Sequence, residues 1–245
     1  MEITENLIRK LLDTVDAGLT SGVGVPEPGK MCVEAAISYA LGEPHSDGPS
    51  CVEPAVRAGK IRLNDATWSS NEARAKGLRR VAIAQLGSKG VVDGNRYTTI
   101  LAEKTIRVIV PIALRAMSSR VPTHADALEA AAVRCEQEGS LDAARAGRAA
   151  ADAANACAAA YAAAYAAADA AYAADAADAA HAGAAASAAA DAAADADAAA
   201  AAYAAAADDR ILTISAGLME EALRECGSPG CDWLWLCDDT AKGGE

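Results

Sequence analysis

Residues 143–207 hold 46 alanines in 65 positions, with no Leu, Ile, Val, Met or Pro. Alanine has the highest intrinsic helix propensity, so the stretch reads as helix, a rod of roughly 100 Å if unbroken. Such a helix has little to pack with. A buried alanine methyl contributes on the order of 0.8 kcal/mol, against about 1.5–3 kcal/mol for Leu or Ile. Only close approach of backbones along a long contact can hold it.

The larger side chains from Tyr161 to His181 recur at a mean spacing near 3.3 residues, short of the helical 3.6. Their stripe drifts, so no single alanine face runs the whole length. The helix must either wind around a partner or break. Gly183 is the expected break, giving a hairpin with arms 141–182 and 184–226, and Gly147 is a second candidate. Tyr161, Tyr165 and Tyr172 share one face and are candidate partner-binding anchors, since Tyr is enriched at interface hot spots. They could equally clamp the tract onto the rest of the chain. The tract has no Lys, so its Asp residues are solvated or face positive charge elsewhere. Arg57, Lys60, Arg62, Arg74, Lys76, Arg79 and Arg80 are a candidate source of that charge in the same chain.

Outside the tract the pattern is also helical. In "TENLIRKLLDTV", Leu7, Ile8, Leu11, Leu12 and Val15 form one stripe behind a Thr4 cap. "KMCVEAAISYALG" predicts a helix closing on Gly42, and "CVEPAVRAGKIRLN" another with Pro54 in its first turn. In "SSNEARAKGLRRVAIAQLG", Ser69 and Glu72 have capping-box spacing, and Leu78, Val81, Ala82 and Leu86 form the buried stripe. "YTTILAEKTIRVIVPIALRAM" fits a helix kinked at Pro111 better than a strand in "IRVIV", which would lack a partner. Thr123 and Asp126 mark a further capping box, and that helix closes near Gly139. After the tract, "RILTISAGLMEEALRECG" regains large apolar residues. "SPGCDWLWLCDD" reads as an irregular tail whose Trp and Leu side chains dock on the body.

Charge follows the same division. Residues 1–142 carry 17 Lys/Arg against 18 Asp/Glu, and residues 143–245 carry 5 against 16. An acidic half disfavours nucleic acid and anionic membranes as partners. Seven cysteines without a dense framework, behind a charged start lacking an apolar signal core, point to a reducing cytoplasm. No run of large apolar residues is long enough to cross a bilayer.

Signatures of chemistry are sparse. Cys32, at a helix start where the dipole would lower a thiol pKa, and His45 are the candidate catalytic pair of a cysteine hydrolase. Against that, a thiol between Met31 and Val33 is more naturally a core residue. Cys226, Cys231 and Cys237 are candidate zinc ligands, with Cys32, His45 and Cys51 as further donors, although their spacing is not that of a paired knuckle. No phosphate loop, H-E-x-x-H or G-x-S-x-G occurs, and no cofactor is implied.

The blocks "GKMCVEAAISYALGEPH", "IRLNDATWSS", "LRRVAIAQLGS" and "PGCDWLWL", with the Ala/Tyr/Asp tract, resemble uncharacterised Ala-rich helical proteins of bacteria and their phages. That resemblance implies one soluble unit and no particular activity, and tracts of this style also occur in immunity proteins. The expectation is therefore an all-α multi-helix bundle with three regions: 1–140, the Ala-rich 141–226, and the tail 227–245. Its expected role is non-enzymatic binding of a protein partner or of a second copy, with the Cys32/His45 hydrolase as the alternative.

Overall fold

The computed structural model of the chain describes residues 2–119, 121–153 and 208–239. Among these residues there are nine α-helices and no strand. The break predicted at Gly183 and the face formed by Tyr161, Tyr165 and Tyr172 lie outside the described residues.

Helix α1 (Glu5–Asp16) begins where expected, with the Thr4 hydroxyl accepting from Leu7 N, and buries Ile8, Leu11, Leu12 and Val15. α2 (Val33–Leu41) ends on Gly42 in the left-handed conformation, and α3 (Pro54–Asp65) carries Pro54 as its first residue. α4 (Asn71–Ala84) is capped one residue later than predicted. Ser70 accepts from Ala73 N, while Ser69 bonds instead to the carboxylate of Asp209. A serine pair leaves the register ambiguous in sequence, and the distant acidic partner decides it.

α5 (Gly94–Ser118) is helical throughout and runs through Pro111, which forfeits one backbone bond. It starts at Asp93, whose side chain accepts from Arg96 N. α6 (Ala125–Glu138) lacks the Thr123 capping box. A 3-10 turn at Pro122–His124 precedes it, His124 occupies the cap position, and no side chain caps the helix there.

α7 (Leu141–Ala153) continues through Gly147, so that glycine is not a break. It is a contact point, because a Cβ at Gly147 would sit 3.3 Å from Leu114 Cδ1 and 3.7 Å from Cys135 Sγ. α8 (Asp208–Glu225) follows the tract. The tail is more regular than predicted, a 3-10 turn at Pro229–Trp233 and then α9 (Trp235–Asp239). Leu234 and Leu236 dock as expected, but Trp235 is 48% exposed.

Two clusters of buried side chains organise these helices. The first gathers α1–α4, the first part of α5, α8 and the tail. The second joins the later part of α5 to α6 and α7. Packing joins helices across these regions of the sequence: α7 lies with α5 and α6, and α8 lies against α4 and α5. No helix among the described residues is long and apolar enough to cross a membrane.

Candidate functional site

α2 is apolar or small on nearly every side, which is the pattern of a helix surrounded by others. Glu34 in its first turn is nevertheless fully buried, as is Lys60 of α3, whose Nζ lies 3.7 Å from Glu34 Oε1. That is an ion-pair distance, longer than a hydrogen bond. The Gln85 amide also addresses Oε1, donating from Nε2 at 3.0 Å. Glu34 Oε2, Lys60 Nζ, Gln85 Oε1 and the Tyr97 hydroxyl are buried without a hydrogen-bond partner.

Burial dominates the titration of this group. It pushes the Glu34 carboxyl above its ordinary range against the pull of Lys60. Lys60 is pushed down to about 8 by the same desolvation, which Glu34 opposes. Tyr97 is driven upward by burial. A half-satisfied polar network in a dry interior is costly, and such groups gather where a site is built.

Beside this cluster is a cleft of about 60 Å³, lined by Cys32, Glu34, Asp47, Asn64 and Asp65, with the exposed Val23 also in its wall. The volume admits a few waters or a group of a few heavy atoms. Its walls are pinned by hydrogen bonds. Asn64 accepts from Val33 N, at the head of α2, and donates to Thr20 O and Asp65 Oδ1. Asp65 Oδ1 also accepts from Gly22 N at 2.7 Å, which ties the 18–31 loop to the end of α3. Within that loop Gly24 pairs with Met31 at a φ of +70°, and a Cβ there would lie 2.0 Å from the Lys30 carbonyl oxygen. Only glycine fits that turn. Arg57 holds Asp47, donating to its backbone oxygen at 2.7 Å and to Oδ1 at 3.2 Å.

Cys32 is at the head of α2, as the sequence suggested, but its thiol serves as the helix cap, accepting from Ala35 N at 3.3 Å. It is 4% exposed. Burial raises its pKa, and the backbone bonds at the helix start only partly offset that. His45 Nε2 donates to Gly24 O at 3.1 Å, so the imidazole braces the loop, and its buried Nδ1 has no hydrogen-bond partner. The carboxylates of Glu34 and Asp47 push the thiol's pKa further up.

The other sulfur candidates are dispersed in function. Cys226 is half-buried, whereas Cys231 and Cys237 are buried, and desolvation pushes both of the latter up to about 11. Cys231 Sγ points at Ala84 O, 3.8 Å away. Among the described residues no three His, Cys, Asp or Glu side chains gather in a way that could hold a metal ion.

The basic side chains offered to the tract are mostly engaged within the body. Arg74 donates to Asn64 O, Leu19 O and Asn71 Oδ1. Arg79 pairs with Asp16, and Arg80 with Glu220 and Asp238. Arg57 and Lys60 hold Asp47 and Glu34.

Sequence reasoning put Cys32 at a helix start, where it lies, took Lys60 for a counter-charge to the tract, and missed Glu34, Asn64, Gln85 and Tyr97. A signal existed for Lys60, which shares a helical stripe with Val56 and Leu63. No family model matches the chain, and neither a curated protein nor a solved structure matches it.

Proposed function

We propose that this is a cytoplasmic, non-enzymatic protein that binds another protein through the acidic surface of its Ala/Tyr/Asp tract. The observation that carries this reading is that at least five of the seven basic side chains between residues 57 and 80, Arg57, Lys60, Arg74, Arg79 and Arg80, are engaged by groups of the body. Residues 154–207 contain six Asp and no Lys or Arg. With that basic group engaged elsewhere, solvent or another molecule is the natural source of their counter-charge, and a basic protein surface supplies it most effectively. Tyr161, Tyr165 and Tyr172 then serve as anchors within a charge-steered contact. An immunity-like or phage-associated regulatory role is the sharper form of this reading, and nucleic acid is the wrong charge for it.

The hydrolase alternative is less well supported, because a capped, buried thiol with a raised pKa is a poor nucleophile. The test compares the immobilised full chain with a variant in which Asp169, Asp175, Asp178, Asp191, Asp195 and Asp197 are all Asn. A basic protein should be retained stoichiometrically by the first, lost in about 1 M salt, where the Debye length falls to about 3 Å, and not retained by the second. Equal retention by both chains overturns the proposal. Light scattering on the purified chain separates a foreign partner from a second copy.

A further inference from the structure

The segment joining α2 to α3, residues 42–53, reaches the 18–31 loop through the His45 imidazole, whose Nε2 lies 3.1 Å from Gly24 O. A carbonyl oxygen can only accept, so the proton of the neutral ring is on Nε2 and Nδ1 is the bare nitrogen. Nδ1 is buried, and no hydrogen-bonding group reaches it. The charged groups of the two facing segments bond elsewhere: Glu27 with Lys30 in the loop, Glu43 with Ser50, and Asp47 with Arg57. On α2, Glu34 is paired with Lys60. No carboxylate is in place to receive a proton added to Nδ1.

The bond falls at a sensitive point of the loop. Gly24 pairs with Met31, and beyond it the tip closes on itself, with Val25 N donating to Lys30 O and Lys30 N to Glu27 O. Just before it, Gly22 and Val23 form part of the wall of the cleft in which Cys32 sits.

We infer that His45 is a pH-sensitive latch: its neutral ring holds the loop over the Cys32 cleft, and protonation at Nδ1 releases it. The imidazolium retains its Nε2 proton, so the bond to Gly24 survives the titration itself. What changes is Nδ1, where a buried N–H without an acceptor is costly. The ring meets that demand by turning toward water, which withdraws Nε2 from Gly24. The braced loop thus favours the neutral ring, and its stability is lost as pH falls through the range of roughly 5–8 in which imidazoles change charge. The latch is separate from the tract and does not depend on the protein-binding role proposed above.

The test follows the alkylation of Cys32 in the folded full chain by peptide mass spectrometry, with Cys135 of the second cluster as internal reference. Thiols react as thiolates, whose fraction falls equally for both residues in acid, so the ratio of the two rates reports access alone. From about pH 7.5 to about pH 5.5 the Cys32/Cys135 ratio should rise about tenfold in the parent. His45→Gln, whose amide can donate to Gly24 O without titrating, should hold the ratio within about twofold over the same interval. His45→Phe, which has no donor, should give a raised ratio at both pH values. A parent ratio that changes by less than about twofold, an equal rise in His45→Gln, or a His45→Phe ratio no higher than that of the parent at neutral pH would each overturn the inference.

Discussion

The two clusters of buried side chains solve the same problem with different materials. The first is built from Leu, Ile, Val and Met converging from α1–α5 and α8, with Trp68 and Tyr97 filling its larger spaces. The second receives from α7 only Ala143, Ala144 and Ala151 as fully buried side chains, and the bulk comes from α5 and α6 through Val110, Leu114, Met117 and Leu128. A helix with little hydrophobic surface is thus held by a neighbour that supplies the volume, while Gly147 lets the backbones come close. Exposed charge assists here. Arg115 bridges Glu129 and Glu136, and Arg107 donates to the carbonyls of Glu136, Gln137 and Glu138, which would otherwise end α6 unsatisfied. Burial dominates the first cluster, and proximity with surface pairing the second.

The largest expected effect lies in the first cluster and is polar. Lys60→Met leaves Glu34 buried without its ion pair and should cost about 3–5 kcal/mol in urea unfolding. Adding Glu34→Leu should recover part of that loss, so that the double variant is less damaged than the sum of the two singles. A single-variant loss below about 1 kcal/mol would mean that the pair is solvated in solution.

A truncation in each cluster sharpens the comparison. Leu78 and Leu128 are both fully buried. Leu78→Ala should cost about 2–5 kcal/mol globally. Leu128→Ala should cost less and act locally, speeding amide exchange in α6 and α7 while leaving α1–α4 protected. Uniform acceleration would show that both clusters open as one unit. At the closest approach of α7, Gly147→Ala should change stability by less than about 1 kcal/mol, helix propensity offsetting a tight contact with Leu114. Gly147→Leu should cost about 1–3 kcal/mol by overpacking.

The smallest effect is on alkaline stability. Burial raises Cys135, Cys231 and Cys237 to about 11, so their contribution is complete below the ordinary thiol range and is lost as pH rises through 11. Lys60, pushed down to about 8, has the opposite sign: its contribution disappears as pH falls through 8 and is complete above the ordinary lysine pKa. Three thiols outweigh one lysine, so the urea midpoint should fall between pH 9 and 11, and more steeply in Lys60→Met. A midpoint that rises over that interval would contradict the burial of these thiols.

The all-helical fold was legible because apolar stripes, Gly42, Gly139 and the Thr4 cap are local signals. What escaped depended on distant partners. Ser69 loses the cap to Ser70 because Asp209, far along the chain, claims it. The polar cluster is harder still, since Glu34, Lys60 and Gln85 come from three separate helical segments, and charged residues are ordinarily assigned to the surface. Cys32 was found by its position at a helix start, but its electrostatic character depended on burial that only the assembled fold supplies.

The arrangement of α8 and the tail has a consequence for how the protein is made. Arg80 reaches Glu220 and Asp238, and Gly230 N donates to Leu86 O, so the outer face of α4 is closed by segments that follow the tract. At ribosomal rates of about 5–20 residues per second, the 54 residues from 154 to 207 take roughly 3–11 s to synthesise. During that interval α4 has emerged and its covering helix does not yet exist. The first cluster therefore cannot close during translation of the N-terminal helices, and an apolar helix face stays open to chaperones until α8 and the segment that follows it have been made.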